Sequence, residues 1–263
     1  MAIKQKTRHV LGLSGGKDSA ALAIYLKQQG KTPDNMEYFF SDTGVELQEV
    51  YDFIEKLETY LGKPIHRLGG EKNFLHHLKL HSGMLPSPQQ RWCTRRMKIE
   101  PFEEFIGDDE CISYIGIRAD EFRDGYLSLN TNVKAKYPFI EDGIARADVF
   151  RILEETVGIP EYYKWRSRSG CYFCFFQRRD EWIGLYENHP QLFKKAMEIE
   201  QNEGGEGYTW IQGMTLAQLL EQKDEIKRKS AAKKQKKDGR PWQQILVEDE
   251  KDDENQACMI CSL

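Results

Sequence analysis

Three groups of residues in this chain have the types and spacing to do chemistry. The first is Ser14-Gly15-Gly16-Lys17-Asp18-Ser19, set between an apolar run, Val10–Leu13, and an amphipathic stretch, Lys17–Gln29. Gly15 and Gly16 can take backbone angles closed to other residues, so successive N–H groups can point into one hollow. The start of the following helix adds unpaired N–H donors and a partial positive charge. Ser14 and Ser19 add hydroxyls and Lys17 a cation, and the whole suits a pyrophosphate. The spacing is not that of the G-x-x-x-x-G-K-[ST] loop, because Leu11 stands where its first glycine belongs and Asp18 follows the lysine. A strand–helix turn without a ligand is the plainer alternative.

The second group lies at two further strand ends. Asp42-Thr43-Gly44 closes an apolar run just before Glu46 opens a helix, and Arg118 directly follows the apolar run in YIGIRADEFRDG. A guanidinium there can clamp a phosphate bidentately, or it can pair with a neighbouring acid. The Asp-Thr-Gly turn can equally be a turn and nothing more. The third group is sulfur. Cys171 and Cys174 have the Cys-x-x-C spacing that brings two thiolates to one metal centre, with Cys93 as a third ligand if it approaches the pair. A zinc site made of Cys171, Cys174, Cys258 and Cys261 competes with this, as does simple burial of the thiols. Cys111, on an expected strand, reads as buried.

These groups need a scaffold, and the hydrophobic pattern supplies one. Val10–Leu13, Met36–Phe40, Pro64–Leu68 and Ile112–Ile117 read as strands; Lys17–Gln29, Glu46–Leu61, Arg96–Ile106 and Asp148–Val157 read as helices. The alternation predicts an α/β fold, a parallel Rossmann-like sheet flanked by helices with ligands at the carboxyl ends of its strands. Residues 1–160 form this domain, residues 161–222 a helical region carrying Cys-x-x-C, and residues 223–263 a basic arm and an acidic tail. The net charge of −4 conceals nine Lys or Arg between Lys223 and Arg240, followed by a nearly all-acidic run from Glu248 to Glu254. No apolar run approaches the roughly 18 residues of a membrane span, and no signal-peptide pattern opens the chain. A cytoplasmic protein with reduced cysteines and no membrane partner is expected.

The loop Ser14-Gly15-Gly16-Lys17-Asp18-Ser19 resembles the PP-loop of the N-type ATP pyrophosphatases. Within that family the chain is similar to the branch of phosphoadenylyl-sulfate (PAPS) reductases and DNA phosphorothioation sulfurtransferases, from about residue 8 to about residue 200. The resemblance implies cleavage of ATP between its α and β phosphates, with adenylate passed to an oxygen. It places Asp42 beside ribose or metal, and it fits the pattern G-I-R-x-x-E to Gly116, Ile117, Arg118 and Glu121. Iron–sulfur members carry a Cys-Cys pair before an Arg/Lys-Lys-x-x-P segment, together with a later Cys-x-x-C. Here Thr94 replaces the second cysteine of the pair. That leaves Cys93, Cys171 and Cys174 as ligands of a [4Fe–4S] cluster with one open iron, able to hold hydrosulfide. The reductases' Glu-Cys-Gly-Leu-His-like tail is missing, since the chain ends ACMICSL and its last histidine is His189.

The resulting expectation is an enzyme that uses ATP and Mg²⁺ to adenylate a DNA backbone phosphate and replace the adenylated oxygen with sulfur. Lys17, Asp18 and Arg118 are its expected catalytic groups, with Ser14, Gly15, Gly16, Ser19, Asp42, Thr43 and Gly44 completing the nucleotide site. Arg91, Arg95, Arg96 and Lys98 around Cys93, and Arg166, Arg168, Arg178 and Arg179 around Cys-x-x-C, favour a polyanion. The interleaved Trp92, Tyr163, Trp165, Tyr172 and Phe176 read more readily as packing residues than as base-stacking ones. Implied partners are DNA, a cysteine desulfurase as sulfur donor and other phosphorothioation proteins; a homodimer is left open. The alternatives are a PAPS or adenylyl-sulfate reductase, a tRNA thiolation enzyme, and a nucleotide-sensing or DNA-binding module without turnover.

Overall fold

The computed structural model describes residues 7–70, 73–121, 131–203 and 207–235. Five strands, β1 (Arg8–Gly12), β2 (Met36–Asp42), β3 (Ile65–Gly69), β4 (Cys111–Tyr114) and β5 (Val133–Lys136), form one sheet in the order β3-β2-β1-β4-β5. Every pairing is parallel, with Leu11 opposite Tyr38 on one side of β1 and Tyr114 on the other. The strand order reverses between β1 and β4, so the crevice for a ligand opens at the carboxyl ends of those two strands.

Alternate residues of each strand feed two cores. Leu11, Tyr38 and Phe40 face α1 (Lys17–Gln28) and α2 (Gln48–Leu61), while Val10, Phe39 and Cys111 face the opposite layer with Phe102 and Ile106. Helix α1 is buried almost all round, with Ala20, Ala21, Leu22, Ala23 and Ile24 all inaccessible, as befits a central helix. Helix α2 buries Val50, Phe53, Ile54, Leu57 and Leu61, a one-sided stripe, and ends at Gly62 in the left-handed conformation. Then follow α3 (Phe74–Leu80), α4 (Trp92–Thr94), a π-helical turn (Arg95–Ile99), α5 (Glu100–Ile106), α6 (Pro138–Glu141) and α7 (Arg146–Glu154), which packs on α1.

The predicted strands and helices are all present with shifted ends, and β5 is additional. Its sequence, Val-Lys-Ala-Lys, has no apolar run because it lies at the sheet edge with three of four residues exposed. The helix expected from Arg96 starts at Trp92. The expected strand to Ile117 stops at Tyr114, and Ile115–Arg118 leaves the sheet to enter the crevice. Beyond residue 160 come α8 (Arg179–Asn188), α9 (Pro190–Glu198), α10 (Leu216–Glu221) and α11 (Lys223–Gln235). The basic arm is thus helical as far as Gln235; its remainder, the acidic tail, Cys258 and Cys261 lie outside the described residues.

Candidate active site

Helix α1 begins in the loop at the carboxyl end of β1, and that loop is tightly constrained. Gly15 has φ +72°, and a Cβ there would stand 2.5 Å from Val50 Cγ1. Ser14 and Ser19 close the loop on itself: the Ser14 amide donates to Ser19 Oγ at 3.3 Å, and the two hydroxyls are 3.5 Å apart. Gly16 is the N-cap of α1 and has no side chain to cap it. Ser14, Gly15, Gly16, Lys17, Asp18 and Ser19 are therefore gathered at one helix start, as their spacing implied.

Arg118 comes to the same place from β4. Asp18 bridges the two cations: Lys17 Nζ lies 2.9 Å from its Oδ2 and Arg118 Nη1 2.9 Å from its Oδ1. Arg118 also pairs with Asp120 at 3.1 Å and Glu121 at 3.6 Å, and its side chain is 2% exposed. The alternative of an ion-paired arginine is thus realised, but inside the crevice and not on the surface. Burial alone would raise the Asp18 carboxyl; Lys17 and Arg118 outweigh it and hold the group well below the usual carboxylate range. A residue without a side chain just after β4 makes this contact possible, since a Cβ on Gly116 would meet the Asp18 carbonyl oxygen at 2.9 Å.

The Asp-Thr-Gly turn ends β2 one strand away. Asp42 Oδ1 accepts from the Gly44 amide and from the Tyr51 hydroxyl, both at 2.8 Å. Thr43 is buried and points at the sulfur region, with its Oγ1 2.8 Å from Glu46 Oε1 and 3.4 Å from Cys171 Sγ. Glu46 sits in the loop before α2, where the sequence suggested a helix start; it is 8% exposed, and its Oε2 has no hydrogen-bond partner among the described residues. Burial raises the Glu46 carboxyl, and burial with the nearby Glu46 raises the Cys171 thiol well above its ordinary value. A cavity of about 740 Å³ opens beside Asp42, with Arg67, Gly69, His77, Arg96 and Glu100 among its walls.

One segment joins these parts. Tyr163 Oη accepts from the Lys17 amide at 2.9 Å, and the Tyr162 hydroxyl donates to the Gly15 carbonyl. A Cβ on Gly16 would stand 2.9 Å from Ser169 Oγ. Arg166, 1% exposed, donates to the carbonyls of Gly170 and Cys171 at 3.0 and 2.8 Å, fixing the turn that carries the thiol. Tyr162, Ser169 and Glu46 were not among the expected site residues; Tyr163 was expected as a packing aromatic and Arg166 as one of the arginines favouring a polyanion. The signal that could have found them was the density of aromatics and arginines just before Cys-x-x-C.

The segments bearing the three cysteines are neighbours. Trp92 stacks on Phe74, Phe74 lies against Phe173, and the Arg91 guanidinium sits 4.9 Å from the centre of the Phe176 ring. Among the described residues, however, no group of three or more His, Cys, Asp or Glu side chains is placed to hold a metal ion. Cys93, Cys171 and Cys174 are not assembled into a metal centre here. Cys111 is 2% exposed, and burial pushes its thiol up to about 12, in keeping with the expected structural role. No helix among the described residues is long and apolar enough to cross a membrane.

Comparison with known proteins places this geometry in context. Residues 8–133 match the family model for the phosphoadenosine phosphosulfate reductase domain. An uncharacterized protein of Methanocaldococcus jannaschii is 29% identical over 227 residues, covering 79% of this chain and 45% of that protein. A second from the same organism is 28% identical over 205 residues, covering 73% and 47%. The tRNA-specific 2-thiouridylase of Lactobacillus helveticus is 31% identical over 123 residues, 41% of this chain and 32% of that enzyme. The chain spans about half the length of the first two relatives and about a third of the last. A phosphate complex of PAPS reductase from Candida auris aligns with a TM-score of 0.47 at 13% identity, over 62% of this chain and 79% of that one.

Proposed function

From the premise that residues 8–133 form a PAPS reductase-like domain of the PP-loop ATP pyrophosphatase superfamily, we propose that the protein is an ATP-dependent sulfurtransferase acting on a nucleic-acid phosphate. One observation carries the reading. The segment that lays Tyr163 and Ser169 against the pyrophosphate loop also sets Cys171 Sγ 3.4 Å from Thr43, at the turn ending β2. Nucleotide loop and thiol share a wall.

In this reading the nucleotide's phosphates lie on the amides and hydroxyls of Ser14–Ser19. Lys17 and Arg118 stabilise charge on the departing pyrophosphate, preorganised by Asp18 so that little rearrangement is needed at the moment of reaction. A nonbridging oxygen of a DNA phosphate attacks the α-phosphorus of ATP; the P–O bond to pyrophosphate breaks and an adenylated phosphate forms. Hydrosulfide, released from the persulfide of a cysteine desulfurase partner by a thiol reductant that is itself oxidised to disulfide, then attacks the acceptor phosphorus. AMP leaves with the former phosphate oxygen, and the proton of hydrosulfide passes to solvent. Mg²⁺ on the phosphates would neutralise charge when bound. A [4Fe–4S] cluster on Cys93, Cys171 and Cys174 would require the three thiols to converge. Iron and sulfide counts after anaerobic purification decide that point.

A second reading is thiolation of tRNA, favoured by the similarity to the 2-thiouridylase. One experiment separates the two. Protein, ATP, Mg²⁺ and labelled sulfide are incubated with duplex DNA or with tRNA, and pyrophosphate and bound label are measured. Label in the DNA backbone with matching pyrophosphate is the expected result, and label in tRNA alone establishes the second reading. No pyrophosphate with either acceptor overturns both and leaves a nucleotide-binding module.

A further inference from the structure

The two loop amides best placed to receive a phosphate are already taken by hydroxyls of the protein itself. The Gly16 amide donates to Ser14 Oγ at 3.4 Å, and the Lys17 amide to Tyr163 Oη at 2.9 Å. The first contact is local and long. The second is shorter and spans 146 positions of sequence, and Tyr163 is 3% exposed. The N-cap, Gly16, has no side chain, and the phenol satisfies the amide of the first helical residue, one of the donors that a helix start leaves open. An amide N–H makes one good hydrogen bond, so a phosphate oxygen that takes the Lys17 amide must displace the phenol.

We propose that Tyr163 is a displaceable cap: a nucleotide phosphate takes the Lys17 amide from it and loosens the Tyr162–Cys171 segment from the loop. This deepens the nucleotide reading given above and rests on it. Three further contacts say why the effect spreads along the segment. Tyr162 holds the Gly15 carbonyl, Ser169 closes on Gly16, and Arg166 ties the Cys171 carbonyl to the same stretch. Release at Tyr163 therefore reaches the turn that carries the thiol. Loading of the nucleotide is in this way reported to the sulfur end of the site, and the hydrogen bond of the empty state subtracts from nucleotide affinity.

The test uses the full chain, wild type and Tyr163→Phe, titrated calorimetrically with α,β-methylene-ATP, whose α–β link is not cleaved. Hydrogen–deuterium exchange is followed over residues 162–171 in parallel. Phenylalanine keeps the ring that packs on Tyr162, whose centroid is 4.7 Å away, and removes only the hydroxyl. The variant should bind the analogue about tenfold more tightly, the factor expected for losing one ordinary hydrogen bond from the empty state alone. In wild type, exchange over 162–171 should rise when the analogue binds; in the variant it should be high from the start. Unchanged or weaker binding by the variant overturns the proposal, because Tyr163 is then a fixed cap or a direct phosphate ligand. So does wild-type exchange that ignores bound analogue, a measurement that needs no variant. Failure of both proteins to bind the analogue removes the nucleotide reading itself, and the cap with it.

Discussion

Asp18 is the residue on which the crevice balances. Its carboxylate touches both Lys17 and Arg118, each nearly inaccessible, and is held well below the usual carboxylate range by them. A carboxyl depressed in the folded state contributes stability that is fully present above its unfolded value, about 4, and is lost as pH falls toward the folded value. Urea unfolding at pH 7 and at pH 3 should show that loss in wild type and a smaller one in Asp18→Asn. At pH 7 the substitution should itself cost about 3 kcal/mol, since two buried cations lose their shared counter-charge. Unchanged stability at pH 7 would mean that Asp120 and Glu121, which already pair with Arg118, suffice to balance the crevice. The residues of the loop were legible in the sequence because their roles are local: two glycines for the turn, two serines to close it. Tyr163 and Glu46 were not, because contacts across 146 and 125 positions leave no mark on spacing.

Between elements, the decisive contact is the one between the segment that follows β4 and the first turn of α1. Gly116 lets them approach until a Cβ would lie 2.9 Å from the Asp18 carbonyl oxygen and 3.0 Å from its carbon. Backbone cannot give way there as a flexible side chain could. Gly116→Ala should therefore push α1 from β4, destabilise the fold by about 1–3 kcal/mol in denaturant unfolding and weaken nucleotide binding at least as much. A variant of wild-type stability and affinity would show that the two elements are less closely coupled than their geometry implies. The same scale explains what the sequence revealed of the architecture. Buried strands and a buried central helix announce themselves by apolar runs, so β1, β2, β4 and α1 were readable, while β3, at one edge of the sheet, was legible through Ile65 and Leu68 alone. The opposite edge strand, Val-Lys-Ala-Lys, has three of four residues exposed and gives no apolar signal.

Across the whole molecule, charge is distributed so that the basic helix α11 is partly engaged by α8. Lys223 and Lys227 both pair with Glu187, at 3.0 and 2.8 Å, and Ser230 donates to Asp180 at 3.0 Å. Pairs this exposed contribute under about 1 kcal/mol each, so nucleic acid can compete for the lysines. Glu187→Gln should leave the melting temperature nearly unchanged. Duplex DNA should then bind more tightly at low salt, with the slope of log affinity against log salt steeper by about one to two. An unaltered slope, or no binding at all, would exclude α11 as a DNA contact. A change of character near residue 160 was visible in composition, yet the contacts of Tyr162, Tyr163 and Ser169 with the loop of residues 14–19 cross it. That crossing bears on how such a protein can be taken apart or recombined. A chain cut at residue 160 would present a phosphate loop stripped of its own wall, and the downstream part could not be swapped between relatives as an independent cassette. Any exchange of acceptor preference by grafting would have to carry the tyrosines and the glycine loop together, as one inherited unit.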